Sequence, residues 1–465
     1  MSDLPSLHAR WRETLRANRD RVALVDCDSS SSVTFDELEH MASAFERKLT
    51  GEAPRKLAPG DRVVIQMKNG AGFLAQCLAL WRLGLVIVPV DRTLGRPEAQ
   101  TIAEFMGATL LLNEDTWTDV HRDTEHPAAS PPGTVMVKLT SGSTGTPKGI
   151  ALSDSQLLAD AANICSTMDI RPADLNFAAI PLSHSYGFDN LVLPLITQGT
   201  PVAVLGEVLP RAVLEGIASS KATVFPAVPF LLDALGRLPE PVPRLDSLRT
   251  VISAGAPLSA SVYHAFRKRF GIGVHQFYGS SECGGITYER EPKDDFVEGC
   301  VGTPMNNVSV GLGVDDRVQV RGANVATGYF PAPGRDDEPV LGHGVFLTGD
   351  IGRIDETGRV HLLGRVSSFI NVAGRKVDPV EIEKCLVQFP GVSAATVMGV
   401  ADATRGQAIA AFVTRQRTGF AVDALLQHCR EHLAPWKVPR VVKVLDALPM
   451  NSRGKLDREQ LQKLL

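Results

Sequence analysis

Short apolar runs alternate with amphipathic stretches through much of this chain, and that alternation restricts the fold more than any other feature. Arg62-Val63-Val64-Ile65-Gln66 reads as a buried strand, 73–83 as a helix and 85–90 as a second buried strand. The exchange returns at 201–205, 222–225 and 250–253, each run neighboured by a helix-period segment. Such alternation predicts α/β architecture with parallel sheets. From about Asn307 the texture changes to short alternating strands and turns, as at 317–320 and 359–362, which predicts a smaller β-rich subdomain. Toward the end, the pattern predicts helix over 379–387, strands over 394–400 and 408–413, helix over 422–432 and a strand over 441–444. That set suits a small α+β domain of its own.

At 465 residues the chain exceeds one ordinary domain. Hydrophobic residues make up 44% and charged residues 22%, enough apolar material for a sizeable core and ordinary for a soluble enzyme. A formal net charge of −4 gives no electrostatic reason to expect nucleic acid or an anionic membrane as a partner. No apolar run reaches transmembrane length, and the polar, mixed-charge N-terminus does not read as a signal peptide. Seven scattered cysteines with no C-x-x-C indicate neither a disulfide framework nor a zinc site, so a reducing cytoplasm is expected. Residues 123–133, rich in Pro and Ala, read as an exposed loop.

Residues 140–149 carry the most chemistry. They read Thr140-Ser141-Gly142-Ser143-Thr144-Gly145-Thr146-Pro147-Lys148-Gly149, just after the apolar run Val135-Met136-Val137. Glycines let backbone N–H groups approach anionic oxygens, while the hydroxyls and Lys148 add donors and charge. This is the composition of a polyphosphate-holding loop. It is not a Walker motif, which would need glycine at Pro147 and Ser or Thr at Gly149. The competing reading, a flexible Gly/Ser tether, fits poorly beside Pro147-Lys148-Gly149 and an apolar strand.

The loop closely resembles the phosphate loop of the ATP-dependent adenylate-forming superfamily, which includes acyl-CoA synthetases, adenylation domains and firefly luciferase. Further segments resembling that superfamily's motifs follow in order. Pro181-Leu182-Ser183-His184-Ser185-Tyr186-Gly187-Phe188 is similar to the segment bearing the histidine or aromatic gate. Ser253-Ala254-Gly255-Ala256-Pro257 resembles the adenine-side loop, and Gln276-Phe277-Tyr278-Gly279-Ser280-Ser281-Glu282 resembles the Tyr-Gly-x-Thr-Glu segment. Thr348-Gly349-Asp350, then Leu362 and Gly364-Arg365, then Gly374 with Pro379-Val380-Glu381-Ile382-Glu383, and finally 448–455 ending in Lys455, complete the series.

The resemblance implies roles with a physical basis. Tyr278 would stack on adenine, with Gly255, Ala256 and Pro257 beside it; alone, Tyr278 could equally be a core tyrosine. Asp350 would accept from the ribose hydroxyls, although Gly349-Asp350 is also ordinary turn chemistry. Glu282 would offer Mg²⁺ a hard oxygen, and Arg365 would pair with ribose or phosphate oxygens. His184 would act as the gate, Lys455 as the cation that stabilises the adenylation transition state, and Ser367 as the hinge. Gly374 and Lys376 would line the thiol tunnel.

Three positions depart from the family pattern: Leu347 stands where an arginine is frequent, Ser367 where Asp or Lys is usual, and Asn371 where a lysine is common. Ser185 follows the gate where amino-acid-activating domains carry an aspartate, which implies an acid without an α-amino group, although Asp189 lies four residues on. Gly284 and Gly285 are expected to leave an acyl pocket open beside Tyr186 and Phe188, suiting a medium-sized apolar or aromatic acid. A tight turn is the other reading of the two glycines.

The resemblance implies α/β architecture in a large N-terminal domain of stacked sheets with a β-rich subdomain over 1–365, and a small mobile α+β domain over 366–465. It further implies an acid–thiol ligase that uses ATP, Mg²⁺ and CoA to make an acyl adenylate and then a thioester. A carrier-protein phosphopantetheine as acceptor, or an ATP-binding protein without turnover, are the alternatives. Oligomeric state is not legible in the chain.

Overall fold

The computed structural model describes residues 6–114, 116–120, 130–140, 148–292, 294–331, 340–365, 370–372, 375–377, 379–402, 406–415, 420–450 and 456–465. Contacts divide the chain into two units. One comprises Met1–Gly313, Val318–Thr348 and Arg353–His361; the other comprises Val314–Arg317, Gly349–Gly352 and Leu362–Leu465.

The larger unit contains two big sheets. A nine-stranded sheet runs from edge to edge as Thr303–Pro304, Gly284–Tyr288, Val274–Ser280, Thr250–Ser253, Val224–Ala227, Asn176–Ala178, Val202–Val204, Val22–Asp26 and Ser31–Thr34. Its six strands from Val274–Ser280 to Val22–Asp26 are parallel, and antiparallel strands flank them. A seven-stranded sheet runs Gly328–Phe330, Lys148–Ser153, Thr134–Thr140, Val86–Val90, Arg62–Gln66, Leu110–Leu112 and Trp117–Asp119. Strands Arg62–Gln66 and Val86–Val90 are buried almost throughout, as their unbroken apolar runs require of parallel strands covered on both faces.

Two of the helices that flank the sheets start in side-chain caps. Helix Phe35–Glu52 starts in a reciprocal capping box between Thr34 and Glu37. Helix Asp154–Met168 starts in another, in which Ser153 N donates to Gln156 Oε1 at 2.8 Å; the helix ends at Asp169 in the left-handed region, φ 53°. Its buried side, Leu157, Asp160, Ala161, Ile164 and Met168, follows the helical repeat. Core clusters gather around Trp11, Phe35, Phe73 and Phe188, and around Phe177, Phe225, Tyr263 and Phe266.

The region after Asn307 forms a five-stranded sheet in the order Ser309–Leu312, Arg317–Arg321, Val345–Ile354 and Val340–Gly342, with Val360–Arg365 also pairing Val345–Ile354. In the smaller unit, Arg375–Val377, Ile370–Val372, Gly406–Arg415 and Val392–Asp402 form a sheet, and Val441–Leu445 lies parallel beside Gly406–Arg415. Helices Pro379–Gln388 and Val422–His432 cover it over a core of Ile370, Ile382, Leu386, Ile409 and Leu425. Mixed α/β sheets in a large unit with a smaller α+β unit match the expected fold class.

Most predicted elements lie within two residues of their place. The strand read at 222–225 is Val224–Ala227, because Lys221 turns at φ 57° and only then does pairing begin. Pro226 sits inside that strand, where the missing N–H discourages a strand assignment from sequence. Residues 123–129 of the expected loop lie outside the described residues.

Candidate active site

The parallel strands end together, and the motif-bearing loops leave from those ends. Asn176–Ala178 leads to Pro181–Phe188, Thr250–Ser253 to Gly255-Ala256-Pro257, and Val274–Ser280 to Ser281 and Glu282. In the second sheet Val86–Val90 leads to Asp91, and Thr134–Thr140 to the Gly/Ser/Thr loop. Ligands of open α/β sheets bind at such carboxyl ends, where strand order reverses. Asn176–Ala178 is that reversal: Val202–Val204 lies on one side and Val224–Ala227 on the other.

The phosphate-type loop is held at its base by Thr140 paired with Lys148, in register with Leu139 and Gly149. Thr140 Oγ1 also lies 3.5 Å from Lys148 O. A Cβ at Gly149 would lie 2.4 Å from Phe330 O, so only glycine lets strand Gly328–Phe330 pair this closely. Strand Gly328–Phe330 carries Tyr329, whose ring lies 5.8 Å from Lys148 Nζ. Tyr329 OH donates to Glu282 Oε1 at 3.2 Å, so one tyrosine links the lysine to the expected metal carboxylate.

The hairpin around Glu282 is fixed from several sides. Ser281 Oγ and Ser185 Oγ share a 2.6 Å hydrogen bond, which ties this turn to the residue after His184. Ala326 N donates to Glu282 O at 2.8 Å, and Asn324 Nδ2 donates to Cys283 O and, at 3.3 Å, to Gly285 O. Tyr278 and Phe277 are buried, and the Phe277 ring lies 5.7 Å from that of Tyr186. Tyr186 OH donates to Ile252 O at 3.2 Å, and burial pushes its phenol well above the usual range. Gln276 is buried and its side-chain amide donates to Cys300 O, so it serves the fold. Gly255 turns at φ 83° directly after Ser253-Ala254.

His184 Nε2 lies 3.0 Å from Asp91 Oδ2, which joins the two sheets' loops. Asp91 also accepts from Thr93 N and Oγ1 through Oδ1 at 2.8 and 2.7 Å. The His184 bond is the chief cause that holds this carboxyl well below the usual range. In the smaller unit, Asp350 and Arg365 are hydrogen-bonded to each other at 2.6 Å, and Leu362 is half-buried.

Two expectations change. Gly284 and Gly285 are buried, and their space is filled from within the fold. A Cβ on Gly284 would lie 2.1 Å from Asp160 Oδ2, and one on Gly285 2.3 Å from Met305 Sδ. The glycines admit Asp160 and Met305 rather than empty volume. Asp189, the aspartate that could have met a substrate ammonium, is buried with both oxygens on Lys138 Nζ at 2.6 and 2.7 Å.

Asp91, Lys138, Asp160 and Tyr329 were not anticipated. Lys138 did leave a signal, as a lone lysine in Val135-Met136-Val137-Lys138-Leu139, and Asp160 as an aspartate in phase with an apolar helix face. Ser141, Gly142, Ser143, Thr144, Gly145, Thr146, Ser367, Gly374 and Lys455 lie outside the described residues, as do the side chains of Asn371 and Lys376.

Loops leaving from the carboxyl ends of parallel strands are the arrangement of a ligand-binding α/β enzyme. A family model described as AMP-binding enzyme matches residues 11–330, and a second, AMP-binding enzyme C-terminal domain, matches 381–455. The chain belongs to the AMP-binding enzyme family. A feruloyl-CoA synthase of Amycolatopsis sp is 28% identical over 471 residues, covering 93% of this chain and 94% of its own. The structure of o-succinylbenzoate CoA synthetase from Bacillus subtilis, in complex with its acyl-adenylate intermediate, has a TM-score of 0.82 at 25% identity, covering 99% of both chains. An amide bond synthetase from Marinactinospora thermotolerans has a TM-score of 0.82 at 28% identity, covering 99% of this chain and 100% of its own.

Proposed function

We propose that this enzyme is an AMP-forming carboxylate–CoA ligase for a medium-sized apolar or aromatic acid without an α-amino group. The acid attacks the α-phosphorus of ATP to give acyl adenylate and pyrophosphate; the thiol of CoA then displaces AMP to give the thioester. The observation that carries the substrate class is the buried Lys138–Asp189 pair. It occupies Asp189, the first carboxylate after the gate segment in the sequence, so that aspartate does not serve a substrate ammonium. The names of the feruloyl and o-succinylbenzoate enzymes support an aromatic acid.

In this reading the loop from Thr140 to Lys148 holds the phosphates, Tyr278 and Gly255 flank adenine, and Asp350 with Arg365 exchanges its mutual bond for ribose and phosphate. His184, steadied by Asp91, is the gate. Glu282 suits Mg²⁺, which commonly takes one or two carboxylates and completes its shell with substrate phosphates and water. Among the described residues no cluster of three or more His, Cys, Asp or Glu could hold a metal. Lys455 acts in adenylation, Gly374 and Lys376 at the thiol, and Ser367 is the hinge between domains 1–365 and 366–465. No described helix is long and apolar enough to cross a membrane. A cytoplasmic setting accords with the scattered cysteines.

The test is mass spectrometry of products from a pool of carboxylic acids incubated with ATP, Mg²⁺ and CoA. The expected product is one aryl- or alkyl-CoA with equimolar AMP. AMP or acyl adenylate without CoA thioester moves the acceptor to a carrier-protein thiol or an amine. Preference for an amino acid or acetate overturns the substrate class.

A further inference from the structure

Asp160 lies against the hairpin that carries Glu282, with the Lys138–Asp189 pair near it, and no chemical step above uses these three buried ionisable side chains. Lys138 comes from strand Thr134–Thr140, two residues before the phosphate loop. Asp189 comes from the π-helical turn Phe188–Val192 after the gate, and Asp160 from helix Asp154–Met168. All three are at most 3% exposed. Asp189 takes Lys138 through both oxygens. Asp160 Oδ1 accepts from Gly285 N at 2.9 Å, while Oδ2 has no hydrogen-bond partner and faces the Cα of Gly284. We propose that Asp160 is a positioning residue for the Tyr278–Glu282 turn, clamping strand Gly284–Tyr288 over the Lys138–Asp189 pair so that phosphate loop, gate and metal carboxylate keep one register.

Charge counting says how it works. Two buried carboxylates face one ammonium, and a second uncompensated charge is costly in such a place. One proton restores balance. With both its oxygens on Lys138, Asp189 is the charged partner, so the proton belongs to Asp160. Burial raises Asp160 far above the usual carboxylate range, to about 7, with the Asp189 charge as the second cause. The other groups that face Asp160 are the Cys283 thiol from the hairpin, the Cys165 thiol on its own helix and the Asn324 amide. Burial pushes both thiols up, which leaves them neutral through this range. Burial raises Asp189 as well, against the pull of Lys138, and raising the pH through neutrality therefore adds a negative charge at the Gly285 clamp.

The cluster stands without the ligase reading; only the consequence for acid activation rests on it. The experiment compares wild type, Asp160→Asn and Asp189→Asn between pH 6 and 8.5. Backbone amide exchange, corrected for its intrinsic pH dependence, is followed over 184–192 and 278–288, together with acid-dependent ATP–pyrophosphate exchange. Wild type is expected to lose protection in both segments together. Its kcat/KM for the acid should fall by about tenfold or more over that range, while KM for ATP changes by less than about threefold. Asp160→Asn, which keeps an acceptor for Gly285 N but cannot ionise, should show neither change. Asp189→Asn removes the charge that opposes ionisation and should move the transition to lower pH. If Asp160→Asn retains the wild-type pH dependence, or Asp189→Asn leaves the transition in place, Asp160 is not the titrating clamp. Should Asp160→Asn not fold, the Asp189→Asn shift decides alone. If no acid supports exchange, the ligase reading fails, and amide exchange still decides the clamp.

Discussion

A lysine in the middle of an apolar strand is a costly residue, and Lys138 is tolerated because Asp189 meets it with both oxygens. Removing Asp189 leaves Lys138 buried without its hydrogen-bonded carboxylate. Asp189→Leu should therefore destabilise the protein by about 3–5 kcal/mol, read by urea denaturation, whereas Lys138→Met with Asp189→Leu should recover most of the loss. Asp160 makes the opposite demand. Its proton is bound more tightly in the folded protein than in the unfolded chain, so this group's stability contribution is fully present below the unfolded value near 3.8 and is lost as pH rises through about 7. The loss is on the order of a few kcal/mol. Asp160→Asn should flatten that part of the pH–stability curve and melt higher than wild type at pH 8. A thermal series at pH 5, 6.5 and 8 checks it; equal slopes in both proteins refute it.

Among the elements, the Tyr278–Tyr288 hairpin and the two loops joined by His184 and Asp91 matter most. Gly284 sits at φ 60° with Asp160 against its Cα, so Gly284→Ala combines backbone strain with a clash. A loss of about 2–4 kcal/mol is expected from denaturation curves. Asp160→Ala in the same chain should relieve part of it. Asp91→Asn keeps the size of the side chain but removes the charge that steadies His184. If His184 is the gate proposed above, the kcat/KM for the acid should fall by about tenfold with KM for ATP little changed, since a ring displaced by a fraction of an ångström harms acid placement first. A comparable loss in both parameters would make Asp91 a general stabiliser of the loop.

At the scale of the whole molecule, the larger unit has two big sheets with their cores and the smaller unit a sheet and core of its own, and the proposed reading gives each a share of the chemistry. The two half-reactions should then separate by mutation. Lys455→Ala is expected to lower ATP–pyrophosphate exchange by about 10²–10³-fold, yet to convert supplied acyl adenylate and CoA to thioester within severalfold of the wild-type rate. Equal loss in both assays would remove this division of labour.

Much of this protein is legible along the chain. The strand runs at 62–66, 85–90 and 250–253 and helix 422–432 follow from local pattern, because apolar periodicity acts over a few residues. The ordered motifs placed family and chemistry for the same reason: each is a short segment whose composition suits its ligand. Partnerships across the fold were not legible. His184 meets Asp91 over 93 residues, Lys138 meets Asp189 over 51, and Gly285 meets Asp160 over 125. Sequence spacing carries no trace of those distances, since they are set by which strands become neighbours. So Gly284 and Gly285 read as open space until the helix bearing Asp160 was packed against them. The sequence by itself determined the α/β elements and the family. Only the tertiary structure decided which charges are spent on one another, because burial, not residue type, settles whether a carboxylate is free to meet a substrate.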